Sequence, residues 1–216
     1  TTLDLSMLTQ LEDLSMRNVP VTSIDLSNAA NLIQIESFGS QLQSLDLSSC
    51  PLVEYIYCYN SQLTSLNISG CNAIRSLNCR NNFITELDIT SHELVGINVQ
   101  NNLLTVLDLT NQPWLEQMDC SNNPMLEALL LKGSLRTDAD MGDYFDDYFD
   151  LYGNPNLAYV CCNNERITQV KARMISQGYN TEVNSYCSFV PGGTFYTIQG
   201  NANFDSDANG CSPTDT

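Results

Sequence analysis

Two short apolar patterns recur from the start of the chain to Leu131, half a period apart, and they constrain the fold more than anything else in the sequence. The first is Leu-Asp-Leu or a close variant: Leu3-Asp4-Leu5, Ile24-Asp25-Leu26, Leu45-Asp46-Leu47, Leu66-Asn67-Ile68, Leu87-Asp88-Ile89 and Leu107-Asp108-Leu109, at steps of 21, 21, 21, 21 and 20. The second lies between these: Leu14-Ser15-Met16, Ile35-Glu36-Ser37, Ile56-Tyr57-Cys58, Leu77-Asn78-Cys79, Ile97-Asn98-Val99 and Met118-Asp119-Cys120, at steps of 21, 21, 21, 20 and 21. Self-similarity at a fixed period of this size marks a stacked repeat. A three-residue strand cannot bury itself. Stacked on a copy of itself it forms a parallel ladder at about 4.8 Å spacing, and its apolar positions merge into one core. Asn60-Ser61, Asn81-Asn82, Asn101-Asn102 and Asn122-Asn123 mark the bends, where their side chains can bond to unpaired backbone groups and stack on one another.

The unit Ile74-x-x-Leu77-x-Cys79-x-x-Asn82-x-Ile84 matches the pattern L-x-x-L-x-L-x-x-N-x-L with one substitution. Residues 1–131 therefore resemble leucine-rich repeats, in particular the cysteine-containing 21-residue repeats of internalin J-like bacterial surface proteins. The resemblance implies a leucine-rich repeat solenoid of stacked short parallel strands with little helix. Cys58, Cys79 and Cys120 occupy the third leucine position, which Met16, Ser37 and Val99 fill elsewhere. A thiol is smaller than an isobutyl group, so these cysteines are expected inside, one above another. No C-x-x-C pair or histidine cluster accompanies them, which argues against a structural metal. Cys50 and Cys71 form a second column, three residues after each Leu-Asp-Leu-type strand; both a bridge and two inward thiols are open there.

The register changes after Leu131. The next clear unit is Phe149-Asp150-Leu151, and the step from Leu131 to Leu151 is 20, where a half-unit needs about ten. Either one half-coil is degenerate or residues 132–150 carry an insertion, rich in aspartate and aromatics. Ile167, Val170, Met174 and Ile175 fall on one face of a helix over 165–178, with Gly178 as its stop. A strand is expected over 181–187. Helix and strand together would cover the exposed end of the solenoid. Cys187 ends that element and Cys161 lies outside the inward series, so a bridge between Cys161 and Cys187 is expected, with Cys162 or Cys211 as alternative partners. The resulting organisation is repeats over 1–164, a cap over 165–190, and over 191–216 a linker or the start of a following module. The stretch 154–216 resembles the junction found in leucine-rich repeat surface proteins of Bacteroidetes-type bacteria. That resemblance implies export and an extracellular or cell-surface location. The chain begins at Thr1 already inside the repeat pattern, so a mature or trimmed fragment of something longer is expected. In the tail, Asp205, Asp207 and Asn209 with Gly210 give the first half of an EF-hand-like loop, so Ca²⁺ is a candidate cofactor, although the glutamate needed at position 12 is absent.

A formal charge of −17, from 25 acidic and 8 basic residues, sets the chain against nucleic acid and anionic lipid. No apolar run is long enough to insert in a membrane. No nucleophile-elbow, P-loop, zinc-protease or dinucleotide signature appears, and the single histidine, His92, lies in a bend beside Glu93, so no enzyme is expected. Alternation within the second series leaves one outward set that is not small and polar. Tyr55, Tyr57 and Tyr59 share a strand, beside Phe38 and across from Arg80. Tyrosine offers rigid amphipathic contact area and is enriched at recognition sites. Phe38, Tyr55, Tyr57, Tyr59, Asn78 and Arg80 are the expected contact set for a protein or carbohydrate ligand on a concave sheet. The function expected is a binding or adhesion module, monomeric as a fragment; the alternative is a spacer that holds other modules away from the cell.

Overall fold

The computed structural model describes residues 2–5, 7–89, 93–110, 112–134 and 149–187. The second series forms one seven-stranded parallel sheet. Its strands are Asp13–Arg17, Gln34–Phe38, Tyr55–Tyr57, Ser76–Asn78, Gly96–Asn98, Gln117–Asp119 and Phe149–Asp150, the inner five each paired with the strand of the coil before and the coil after. The register places Ile35 on Ile56, Ile56 on Leu77, Leu77 on Ile97, Ile97 on Met118 and Met118 on Phe149. One apolar column thus runs through the stack, and the residues on either side of each buried position turn outward because side chains alternate along a strand. Half a coil away the first series forms shorter ladders: Thr2–Asp4 with Ser23–Asp25, Ser44–Asp46 with Ser65–Asn67, and a four-stranded set of Val106–Asp108, Ala128–Leu130, Tyr159–Cys161 and Glu182–Asn184. Leu87-Asp88-Ile89 forms no strand, yet Ile89 is fully buried.

The bends follow from two asparagines with opposite duties. Asn18, Asn60, Asn81, Asn101 and Asn122 hold φ between +52° and +56°, and Gly39 and Gly153 take the same place in their coils at +63° and +78°. Asparagine is among the few residues that tolerate this left-handed conformation, and glycine has no Cβ to strain it. The amides of Asn60, Asn81 and Asn101 stack outside the turn, each bonded to the next. The following asparagine points inward. Asn82, Asn102, Asn123 and Asn154 are buried, and each donates to a carbonyl of its own coil and to one of the coil before, as Asn102 does to Val99 and Cys79 at 3.0 Å each. Their side-chain oxygens accept from the backbone N–H of Leu63, Ile84, Leu104 and Asn123. Buried backbone groups that no ladder reaches are satisfied in this way, as a dry interior requires.

Cys58, Cys79 and Cys120 are fully buried in the column that also holds Met16, Ser37 and Val99. Cys50 and Cys71 are buried and free, their thiols directed at the Leu26 and Leu47 carbonyl oxygens. Met118 and Phe149 are direct ladder neighbours although the step between them, 149 − 118 = 31, exceeds the 20 or 21 of the other coils of the sheet. The longer step falls between the strands Ala128–Leu130 and Phe149–Asp150, and residues 135–148 lie outside the described residues.

After Tyr159–Cys161 a 3₁₀ turn, Asn164–Arg166, leads into the helix Ile167–Ser176, which takes the half-coil where an eighth strand of the large sheet would lie. Its side chains close the sheet edge. Arg173 donates to the Phe149 carbonyl through Nε at 2.9 Å and Nη2 at 2.7 Å. The Gln177 side-chain oxygen accepts from Leu151 N–H at 3.1 Å, and the Tyr179 hydroxyl bonds both Asn154 N–H and the Leu151 carbonyl. An unpaired parallel edge would otherwise invite another chain. Val170 and Met174 are buried under the helix, but Ile175 is 62% exposed, which corrects the face expected for it. Eight residues on from Ile167 is about 80° around the helix axis, on the far side of the stripe from Val170. The strand Glu182–Asn184 then adds to the edge of the four-stranded ladder, and Cys161 is bonded to Cys187 with their Cα atoms 5.4 Å apart.

Candidate functional site

Three strands and the first residues beyond them build the aromatic face. In Tyr55–Tyr57 the pattern is half-buried, buried, half-buried, and it continues through buried Cys58 to half-buried Tyr59. Three rows cross the coils here. Gln34, Tyr55 and Ser76 form one, and Glu36, Tyr57 and Asn78 the next. Phe38, Tyr59 and Arg80 form the third, carried past the strand ends by the bonds from Gly39 N–H to the Tyr59 carbonyl and from Asn60 N–H to the Arg80 carbonyl. The Phe38 and Tyr59 rings are 5.0 Å apart, tilted by 40°. The Arg80 guanidinium lies over the Tyr59 ring, 4.7 Å from its centroid. Phe38, Tyr57, Tyr59, Asn78 and Arg80 line a cleft of about 340 Å³ together with Glu36. Tyr55 faces the same side, but its row lies outside that lining.

Glu36 is the cleft member that falls outside the contact set expected from the sequence. Its carboxylate accepts from Arg17 Nη2 at 2.6 Å and Nε at 3.0 Å, from Ser15 at 3.0 Å and from Gln34 at 3.4 Å. The bond from Arg17, then that from Ser15, holds Glu36 below the usual carboxylate range, and Glu36 in turn raises Arg17. The signal is present in the sequence: Ser15 and Glu36 are register neighbours one period apart, with Arg17 two residues on.

Two other clefts mark the same stack, and neither is expected from the sequence. One of about 360 Å³ runs along the sheet over Ser76, Gly96, Asn98 and Asp119, where the outward side chains are short. The other, of about 520 Å³, lies at the entry to the strands and is walled by Trp114, Glu54, Arg75, Glu93 and Glu116. Among the described residues no group of three or more His, Cys, Asp or Glu side chains could hold a metal ion, and no helix is long and apolar enough to cross a membrane. His92 and the candidate calcium ligands Asp205, Asp207 and Asn209 lie outside the described residues.

Coils of near-constant length, a single parallel sheet in unbroken register and a buried asparagine column that bonds successive turns decide the architecture. The fold is a leucine-rich repeat solenoid. No protein-family model matches the chain, and no curated protein does. Among solved structures the solenoid is similar to the functional domain of InlJ from Listeria monocytogenes, which includes a cysteine ladder, at 24% identity and a TM-score of 0.45, over 77% of this chain and 47% of that one. It is similar to the internalin InlF from Listeria monocytogenes at 14% identity and a TM-score of 0.42, over 86% of this chain and 64% of that one. To the APL1 leucine-rich repeat domain it is 16% identical, with a TM-score of 0.42, over 84% of this chain and 57% of that one. The chain thus spans about half the length of the InlJ domain and less than two thirds of the others.

Proposed function

We propose that this leucine-rich repeat domain is a non-catalytic binding module, adhesin-like in use, that takes a protein or carbohydrate ligand on its seven-stranded sheet at the cleft around Tyr57 and Tyr59. One observation carries the reading. Apart from Tyr152 on the last coil, the outward rows of the sheet are otherwise built from short or polar residues such as Ser76, Gly96, Asn98 and Gln117, and Phe38, Tyr55, Tyr57 and Tyr59 gather on two adjacent coils, three of them around a cleft. Strands pinned above and below lose little freedom when a ligand arrives, which favours affinity from a small contact area. The bond between Cys161 and Cys187 supports an oxidising compartment, in keeping with export to the cell surface or beyond. A Ca²⁺ site at Asp205, Asp207 and Asn209 is part of the same proposal.

The test is an array of glycans and extracellular proteins, probed with the whole chain and with the triple variant Tyr55→Ser, Tyr57→Ser, Tyr59→Ser. Tyrosines at recognition centres commonly carry about 2 kcal/mol each, so the variant should lose at least ~100-fold in affinity. Its melting temperature should stay close to that of the parent, since Ile56 and Cys58 of the same strand hold the core. Undiminished binding by the variant removes the reading, and an array that retains no ligand leaves the spacer.

A further inference from the structure

Resting on the binding reading above, the geometry points to the class of ligand group: we infer that Arg80 is the receptor for a carboxylate, an aspartate or glutamate side chain of a protein partner laid along the Tyr57 and Tyr59 strand. Among the described residues, two other arginines on or beside the sheet already have acidic partners. Arg17 is committed to Glu36 at 2.6 Å, and Arg75 lies 3.7 Å from Glu54. Among the described residues no carboxylate or carbonyl oxygen meets the Arg80 guanidinium; its contact is the face of Tyr59. Stacking uses the flat face of a guanidinium and leaves its N–H donors, which lie in the plane, directed outward. A half-buried arginine whose donors lack acceptors is a fork already set for a planar two-oxygen group. Glu36 shares the cleft, but its carboxylate is bonded to Arg17, Ser15 and Gln34 and forms no ion pair with Arg80.

The same row argues for a protein over a sugar. Phe38 belongs to the coil before Tyr59 and Arg80 to the coil after, so its ring is flanked by a neighbour from each coil. A pyranose stacks best on a freely open aromatic face, and the Tyr59 ring already carries the Arg80 guanidinium with Phe38 beside it. What the row offers is ring edges, a phenol hydroxyl and guanidinium donors, which suit the side chains of a peptide segment. The formal charge of −17 opposes an acidic partner at long range. Beyond about 8 Å, however, physiological salt screens that field, and the unneutralised cation in the cleft dominates at contact.

The probe is a random peptide library displayed on phage, selected on the whole chain at physiological ionic strength. Each selected peptide is then made in an acid form and in a form with Asn or Gln in place of Asp or Glu. The acid form is expected to bind about tenfold or more tighter, the scale of a charge-assisted bidentate contact. That preference should vanish in Arg80→Gln and persist in Lys171→Gln, which removes the same charge from the exposed face of the helix. On the unaltered protein the Arg80 Nε–Hε resonance should shift with the acid peptide and stay fixed with the amide, a readout that needs no variant to fold. Equal binding of the two forms, or an acid preference that survives Arg80→Gln, overturns the assignment while the tyrosine dependence still stands. A sialylated oligosaccharide held through Arg80 when no peptide is selected overturns the protein class. Peptides indifferent to the triple tyrosine substitution overturn the binding reading itself.

Discussion

Replacing Asn102 by alanine tests whether the inward asparagines are what hold the coils together. Asn102 is 2% exposed. Its amide donates to the Cys79 and Val99 carbonyls, and its oxygen accepts from Ile84 N–H, all at 3.0 Å. Alanine leaves the Ile84 N–H without a partner in a dry interior, while the Cys79 and Val99 carbonyls each lose one donor and keep another, Asn82 at 2.9 Å and Asn123 at 3.0 Å. At roughly 1 to 3 kcal/mol for the unpaired donor and about 0.5 kcal/mol for each carbonyl bond lost, Asn102→Ala should cost about 2 to 4 kcal/mol. A domain of this size has a total stability of about 10 to 15 kcal/mol at most, so the loss is a large fraction. Asn101, next in the chain, has φ +53° and an exposed amide. Asn101→Ala should cost only about 1 kcal/mol, for the strain of a left-handed alanine, and Asn101→Gly should recover most of it. Urea unfolding followed by far-UV circular dichroism measures all three, with an unchanged m-value showing that the same surface is exposed. Asn102→Asp adds a check on sign. An ionised carboxylate would face two carbonyl oxygens, and burial would raise its folded pKa above the unfolded one. Relative to the parent, that variant should then lose stability as pH rises through its folded pKa and regain it on acidification. An Asn102→Ala cost no larger than that of Asn101→Ala would refute the account.

Two further outcomes follow from the cysteines. Six of them, Cys50, Cys58, Cys71, Cys79, Cys120 and Cys162, are free and buried, and burial pushes Cys71 and Cys79 up to about 12 and Cys162 up to about 11. With so little thiolate near neutral pH, none of the six should react with an aromatic disulfide reagent at pH 8 until denaturant is added; prompt labelling of any of them in the native protein contradicts the packing. The bond between Cys161 and Cys187 closes a sequence separation of 26. By the loop-entropy relation it is worth about 3 to 4 kcal/mol, and it acts on the cap. Its reduction should speed hydrogen exchange in the helix Ile167–Ser176 while Ser76–Asn78 and Gly96–Asn98 stay protected, and an unchanged helix would show that packing alone holds the cap.

What the sequence shows and what it withholds divide along a physical line. A fixed period forces identical positions into register, so the apolar column, the buried cysteines at 58, 79 and 120 and the outward direction of Tyr55, Tyr57 and Tyr59 are all legible. Features that depend on contacts between unlike positions are not. Alternation puts Ser121 outward, yet it is 2% exposed because its short side chain folds back on Asp119 at 2.6 Å. Whether residues 132–150 hold a lost half-coil or an insertion turns on one pairing, Met118 with Phe149, across a stretch of chain that no local pattern relates. The replacement of an eighth sheet strand by the helix is hidden for the same reason, since what recommends the helix there is Arg173 reaching the Phe149 carbonyl. The period alone sets Glu36 beside Ser15 and Arg17, but its place in the cleft depends on the bond from Arg17 that holds its carboxylate.

Strand preference alone does not account for the aromatic cluster. Tyrosine favours strands because it fits a half-buried pleated surface, and on that ground aromatics should be spread over the sheet. Apart from Tyr152 on the last coil they are not: the row through Tyr55 reads Gln34, Tyr55, Ser76, Gly96, Gln117 across five coils. The buried residues one place further along, Ile35, Ile56, Leu77, Ile97 and Met118, stay apolar throughout. The interior therefore tolerates glutamine, serine or even glycine at the outward place without losing its column. In a solenoid each coil touches only its neighbours, so an outward residue can change on one coil while the rest keep their packing. Folding places no demand for aromatics at positions 38, 57 and 59. Their gathering around one cleft, with an arginine stacked on the last ring and its donors unspent, is what a demand from outside the fold would leave behind.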